Sequence, residues 1–84
     1  MNKIEWTRKA VKQLHKISEV DKEPVVEKIS TLKRFPNCLH VKKLKGATHL
    51  YRLRVGRYRV LFAHLDTVRI VRINEVKKRD ERTY

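Results

Sequence analysis

Leu50-Tyr51-Arg52-Leu53-Arg54-Val55-Gly56-Arg57-Tyr58-Arg59-Val60-Leu61-Phe62 is the stretch whose reading decides the fold. Arginines alternate with apolar residues on both sides of a Gly-Arg pair, the period-two pattern of a β-hairpin with one greasy and one cationic face. If Gly56 and Arg57 are the central residues of the turn, glycine at the first place suits type II′ and Val55 faces Tyr58. Tyr51, Leu53 and Val55 then oppose Phe62, Val60 and Tyr58 on the apolar face. Arg54 falls directly opposite Arg59, with Arg52 two residues along, beside Leu50, Leu61 and Ala63. A slip of one residue would drive the arginines into the core, so the pattern fixes the register strongly.

Like charges facing each other across a sheet cost from a few tenths to about 1 kcal/mol per pair. No local carboxylate relieves the cost, because the chain has no acidic residue between Glu27 and Asp66. A single arginine pair can splay into water. Three arginines on one face, with Lys42, Lys43, Lys45 and Arg57 near in sequence and Lys77 and Lys78 after the last strand, point instead to a polyanion site. Arginine suits phosphate because its planar donors grip two oxygens and its charge does not titrate away.

Composition agrees with that partner class. The 84 residues carry a formal charge of +13, with nine Lys/Arg against five Asp/Glu over residues 1–39 and thirteen against four over 40–84. Such a balance favours nucleic acid, an acidic protein or an anionic membrane. Membrane is the weakest of these, because no apolar run approaches the ~20 residues of a spanning helix. The start, Met1-Asn2-Lys3-Ile4-Glu5-Trp6, lacks the apolar core of a signal peptide. Residues 1–84 read as one domain. Cys38 is the lone cysteine, which excludes an intrachain disulfide and a Cys-based metal site and suits a reducing, cytoplasmic setting.

The rest of the chain supplies something to cover the greasy face. Residues 2–6 alternate and read as a short strand with Ile4 and Trp6 on one side. Thr7 can cap a helix to about Ile17, with Trp6, Ala10, Val11, Leu14 and Ile17 at spacings of three and four and Lys9, Lys12 and Lys16 solvated. Ser18-Glu19-Val20 reads as a turn. A second helix begins near residues 21–24, with Pro24 in its first turn and a stripe of Val25, Val26, Ile29 and Leu32, and Phe35-Pro36-Asn37 stops it. The two helices should form an antiparallel hairpin. Residues from about His40 to the turn at Gly46 read as a weak strand or an extended approach. Leu65-Asp66-Thr67 turns the chain into a fourth main strand over 68–76. The class is α+β: an N-terminal short strand and a helical hairpin packed on a mainly antiparallel twisted sheet of about four strands.

Other chemistries find less support. His49 and His64 oppose each other in the hairpin register, but on the core side, which is a poor place for a pair of catalytic imidazoles. No spacing gathers three metal ligands. Trp6 suits the core better than a stacking platform.

Lys43-Leu44-Lys45-Gly46, Tyr51-Arg52-Leu53-Arg54, Tyr58-Arg59-Val60-Leu61-Phe62 and Lys78-Arg79-Asp80 with Tyr84 resemble, in order and spacing, the successive motifs of the RelE family of toxins from bacterial and archaeal toxin–antitoxin pairs. The resemblance spans nearly the whole chain. It implies a small α+β toxin that enters the ribosomal A site and cuts the mRNA there without metal or cofactor. The 2′-hydroxyl attacks the adjacent phosphate, giving a 2′,3′-cyclic phosphate and a free 5′-hydroxyl. It implies a cognate antitoxin as partner, the ribosome with its mRNA as target, and contact with operator DNA only through the antitoxin complex. Arg52 and Arg54 fall where the best-known members have two functional lysines. Arg59 and Arg79 match arginines that steady the phosphate, and Tyr84 matches a tyrosine that stacks on or activates the substrate. The step from Arg79 to Tyr84 is one residue shorter than in the family pattern.

Arginine in place of lysine changes the chemistry. With a pKa above ~12 it is a very poor general base, so Arg52, Arg54, Arg59 and Arg79 would stabilise charge on the phosphate. Proton removal would fall to Tyr84 or to ribosomal RNA. Two other readings stay open at this point: a toxin of the same fold that poisons DNA gyrase, as the related ParE toxins are thought to do, and a non-catalytic RNA- or DNA-binding module.

Overall fold

Gly56 takes φ +54° and Arg57 stays out of the left-handed region, as a type II′ turn requires. Every expected cross-strand pair follows, from Val55 opposite Tyr58 to Leu50 opposite Ala63. The computed structural model describes residues 1–46 and 50–78. In chain order the elements are β1 (Lys3–Trp6), α1 (Arg8–His15), α2 (Glu19–Ser30), a 3₁₀ turn (Thr31–Arg34), β2 (Val41–Lys43), β3 (Leu50–Val55), β4 (Tyr58–Leu65), a second 3₁₀ turn (Asp66–Val68) and β5 (Ile70–Lys78). The sheet order is β1-β5-β4-β3-β2, with β1 parallel to β5 and the other neighbours antiparallel. The α+β class stands, and the sheet has five strands because the weak 41–43 segment pairs with β3.

The helices begin where side-chain oxygens can accept the free N–H groups of a first turn. Thr7 Oγ1 accepts from the Ala10 amide at 3.1 Å, as expected. Ser18 Oγ accepts from the Asp21 amide at 3.4 Å, so Ser18 is a cap rather than part of a turn. The second helix therefore starts at Glu19, just before the expected 21–24, and Pro24 lies inside it. Its ring removes one helical hydrogen bond, and burial of Val25 and Ile29 offsets that loss.

Leu53, Val60, Phe62, Val71 and Ile73 project from one side of the sheet and meet Ala10, Val25, Ile29 and Leu32. Burying a side chain of this size contributes roughly 1.5–3 kcal/mol, so this layer dominates stability. Phe35, just after the first 3₁₀ turn, closes one end. Its ring stands edge-on to Tyr51, Phe62 and His64 at 4.8, 5.4 and 4.7 Å.

Two features were not readable from periodicity. Glu75 pairs with Leu61 but Ile73 with Phe62, which leaves Asn74 as a bulge in β5 and lets its apolar face run on to Val76. β1 ends opposite Ile73, and α1 then lines the exposed rim of β5. Thr7 Oγ1 donates to the Asn74 carbonyl at 3.2 Å, and Gln13 Oε1 accepts from the Val76 amide at 2.7 Å.

Among the described residues Asn2 is the buried polar one. Its backbone N–H donates to the Lys33 carbonyl at 2.9 Å. Its Nδ2 donates to the carbonyls of Leu32 and Phe35 at 3.3 and 2.9 Å. Asn2→Ala should leave those carbonyls without a partner and lower unfolding free energy by about 2 kcal/mol, measured by urea titration; an unchanged midpoint would show that the clamp contributes nothing.

Candidate nucleic-acid interface

The pairing that buries alternate residues of β3 and β4 fixes what their other side carries. On the face turned away from the helices, Lys42 lies beside Arg52, Arg52 beside Leu61, and Leu61 beside Glu75. The adjoining row is Arg54, Arg59 and Lys77. Arg54 is exposed, while Arg52 and Arg59 are half-buried, which restricts their side chains more than free solvation would. Among the described residues none of the three arginines forms a salt bridge. Of the cations in the two rows only Lys77 has a described carboxylate partner, so the field of the arginines is not cancelled from within.

The acidic groups of this layer are committed elsewhere. Glu5 meets Arg72 Nε at 3.3 Å, toward the opposite end of the strands. Glu75 Oε1 lies 2.7 Å from Lys9 Nζ and 3.7 Å from Lys77 Nζ. The hydrogen bond from Lys9 holds its carboxyl below the usual range, against an opposing push from burial and with help from the Lys77 charge. Glu75 thus tempers one margin of the cationic patch without reaching its centre.

Of the residues singled out by sequence, Arg52, Arg54, Arg59, Lys42 and Lys77 share one face by register. Lys43 is paired with Tyr51 and Lys78 with Tyr58, so both fall on the helix side and do not join them. Lys45 and Arg57 are exposed in turns at Gly46 and Gly56. Arg79 and Tyr84, like His49, lie outside the described residues. His64 makes no catalytic pair among the described residues; its Nε2 lies 3.3 Å from Asn2 Oδ1. Sequence reasoning missed Glu75 and its partner Lys9, which it left as a solvated lysine. The bulge at Asn74 breaks the alternation that would have signalled the contact.

Tyr58, on the helix side of the same hairpin, donates to Asp21 Oδ2 at 2.9 Å. Burial raises its hydroxyl pKa first, with further upward contributions from that hydrogen bond and the Asp21 charge, opposed by Arg57. It is a group held protonated, which ties the hairpin to α2.

A family model described as the ParE toxin of the type II toxin–antitoxin system parDE matches residues 4–82. The candidate toxin RelE1 of Methanocaldococcus jannaschii is 30% identical over 80 residues, spanning 92% of this chain and 89% of that protein. This chain belongs to the RelE/ParE toxin family. The RelE/ParE fold is equally plain: the isolated RelE toxin of E. coli superposes with a TM-score of 0.85 at 19% identity, covering 99% of this chain and 89% of that one. The toxin–antitoxin complex RelBE2 of Mycobacterium tuberculosis holds a chain 29% identical, with a TM-score of 0.81 and coverage of 93% and 98%. No helix among the described residues is long and apolar enough to cross a membrane.

The lowered pKa of Glu75 has a definite sign. Its stabilising contribution is complete above the ordinary value of 4.5 and is lost as pH falls through the lower value of the folded state. Melting temperatures of the wild type and Glu75→Gln should therefore converge as pH drops below that ordinary value. Parallel curves would sink the assignment of the ion pair.

Proposed function

We propose that this chain is a ribosome-dependent mRNA endoribonuclease that cleaves messages in the A site and is held inactive by a cognate antitoxin. The observation that carries the reading is Arg54 directly opposite Arg59, flanked by Arg52 and Lys42, with none of these four cations in a described salt bridge. A sheet that tolerates such repulsion gains a ready place for phosphate.

The transesterification asks for two proton movements and one large charge stabilisation. The 2′-oxygen attacks phosphorus as its proton leaves, the P–O5′ bond breaks, and the 5′-oxygen takes up a proton. Arginine serves neither proton step at neutral pH, but three guanidiniums can hold the negative charge that gathers on the non-bridging oxygens. Arg52, Arg54 and Arg59 are assigned that role, with Arg79 as a fourth. The proton from the 2′-hydroxyl goes to ribosomal RNA or to Tyr84 as its phenolate, and the 5′-oxygen takes its proton from water or from ribosomal RNA. Lys42, Lys45, Arg57 and Lys77 would track the backbone, adding affinity rather than rate. An antitoxin that masks this surface should be acidic or carry an amphipathic helix, and a chain of similar fold occurs in the toxin–antitoxin complex RelBE2.

The ParE description of the matching family model favours one second reading, a toxin acting on DNA gyrase. Induction of the chain alone separates the two. Mapped RNA 5′ ends should show in-frame cuts within translated messages, and none when translation is blocked; DNA damage with intact mRNA would favour gyrase. Arg59→Ala should lower cleavage by roughly 10²–10³-fold, the cost of one well-placed charge stabiliser, with the thermal transition unchanged. A fully active variant would overturn the assignment. Ribosome binding should weaken with salt at a log–log slope of about −0.7 or steeper per phosphate contact, and a flat response would count against the cationic face as the docking surface.

A further inference from the structure

A second concentration of positive charge lies away from the arginine rows. Arg59 and His64 sit on opposite faces of β4 and five residues apart, about 17 Å along the strand. Around His64, at the end of β4 remote from the hairpin turn, is an open cavity of about 410 Å³. Lys33 and Arg34 from the 3₁₀ turn before Phe35, and Arg69 between the second 3₁₀ turn and β5, are three cationic residues of its lining, against the single acidic residue Asp66. Among the described residues none of the three cations is in a salt bridge. Phe35 and Pro36 supply an apolar wall.

The floor of the cavity is tied together by hydrogen bonds whose polarity can be assigned. Asn2 Nδ2 donates to two carbonyls, those of Leu32 and Phe35, so its Oδ1 is the acceptor toward His64. His64 Nε2 at 3.3 Å must then be the donor. The imidazole is further held by the edge-on Phe35 ring at 4.7 Å. Arg69, one of the lining residues, occupies the left-handed region at φ +54°, a conformation an arginine rarely takes.

We propose that this cavity is a second phosphate site, one that holds the phosphate of a nucleotide on Lys33, Arg34 and Arg69, with Phe35 and Pro36 against the sugar or base. The volume suits a ligand of that size, and the set of cations beside one apolar wall suits a group with a charged end and a flat, less polar one. The site stands apart from the proposed cleavage face, so it stands or falls without the ribonuclease reading. Its ligand chemistry has two sources, a free nucleotide or a unit of an RNA strand.

The test is residue-specific. The full chain, isotope-labelled at histidine, is titrated with inorganic phosphate, adenosine 5′-monophosphate and a short 2′-O-methyl RNA that cannot be cleaved, and the His64 ring resonances are followed. Saturable shifts are expected with the nucleotide at lower concentration than with inorganic phosphate. If the RNA acts at still lower concentration, the site reads a strand; if only the mononucleotide acts, it reads a free nucleotide. Arg34→Gln and Arg69→Asn, the latter compatible with the left-handed backbone, should each weaken binding by about tenfold, as loss of a charge-assisted hydrogen bond does. The Arg54→Ala, Arg59→Ala double variant should leave these shifts in place. Absence of any saturable His64 shift, or its loss only in the double variant, would overturn the proposal.

Discussion

The type II′ turn at Gly56 sorts every side chain of the central hairpin. Because Gly56 adopts a positive φ, β3 and β4 meet with Val55 against Tyr58, and all later pairs are determined. The same geometry that sends Leu53, Val60 and Phe62 beneath the helices sends Arg52, Arg54 and Arg59 to the other side. The core and the cationic rows are two faces of one constraint. Neither can be altered by a register slip without destroying the other, since a displaced strand would bury guanidinium groups without partners at a cost of several kcal/mol each.

That coupling explains how a small domain tolerates Arg54 facing Arg59. The repulsion of such a pair is on the order of 1 kcal/mol or less in solvent, whereas the apolar residues on the reverse side contribute more than that individually. The stability of the sheet is set from beneath. The surface above it is then free to carry a charge pattern chosen for a partner, with Glu75 drawn toward Lys9 and away from the central pair.

Legibility in the sequence followed periodicity. The hairpin was readable to the individual pair because alternation and one glycine leave a single solution. The first helix was readable from Thr7 and its three-four spacing. The start of the second was missed because Ser18 suits a turn and a cap equally, and Pro24 drew the boundary toward itself. The 41–43 strand was faint because three residues hold too little alternation to distinguish a strand from a loop. Lys43 and Lys78 looked like members of the basic cluster, but proximity in sequence does not specify a face, and register puts them behind it. The contact between Lys9 and Glu75 depends on a bulge and on a helix running past the end of a strand, neither of which leaves a periodic signal.

The way α1 finishes the sheet bears on how copies of this protein behave when crowded together. A strand rim with free amides and carbonyls invites a neighbouring molecule to extend the sheet. Here Thr7 and Gln13 occupy backbone groups of β5 beyond the end of β1, so that margin has fewer groups to offer. The margin at β2 is only three residues long and bears Lys42 and Lys43, one on each face, whose charges would repel the same strand of a second copy. Self-association into fibres is thus discouraged along these two margins by one threonine, one helical glutamine and a pair of lysines.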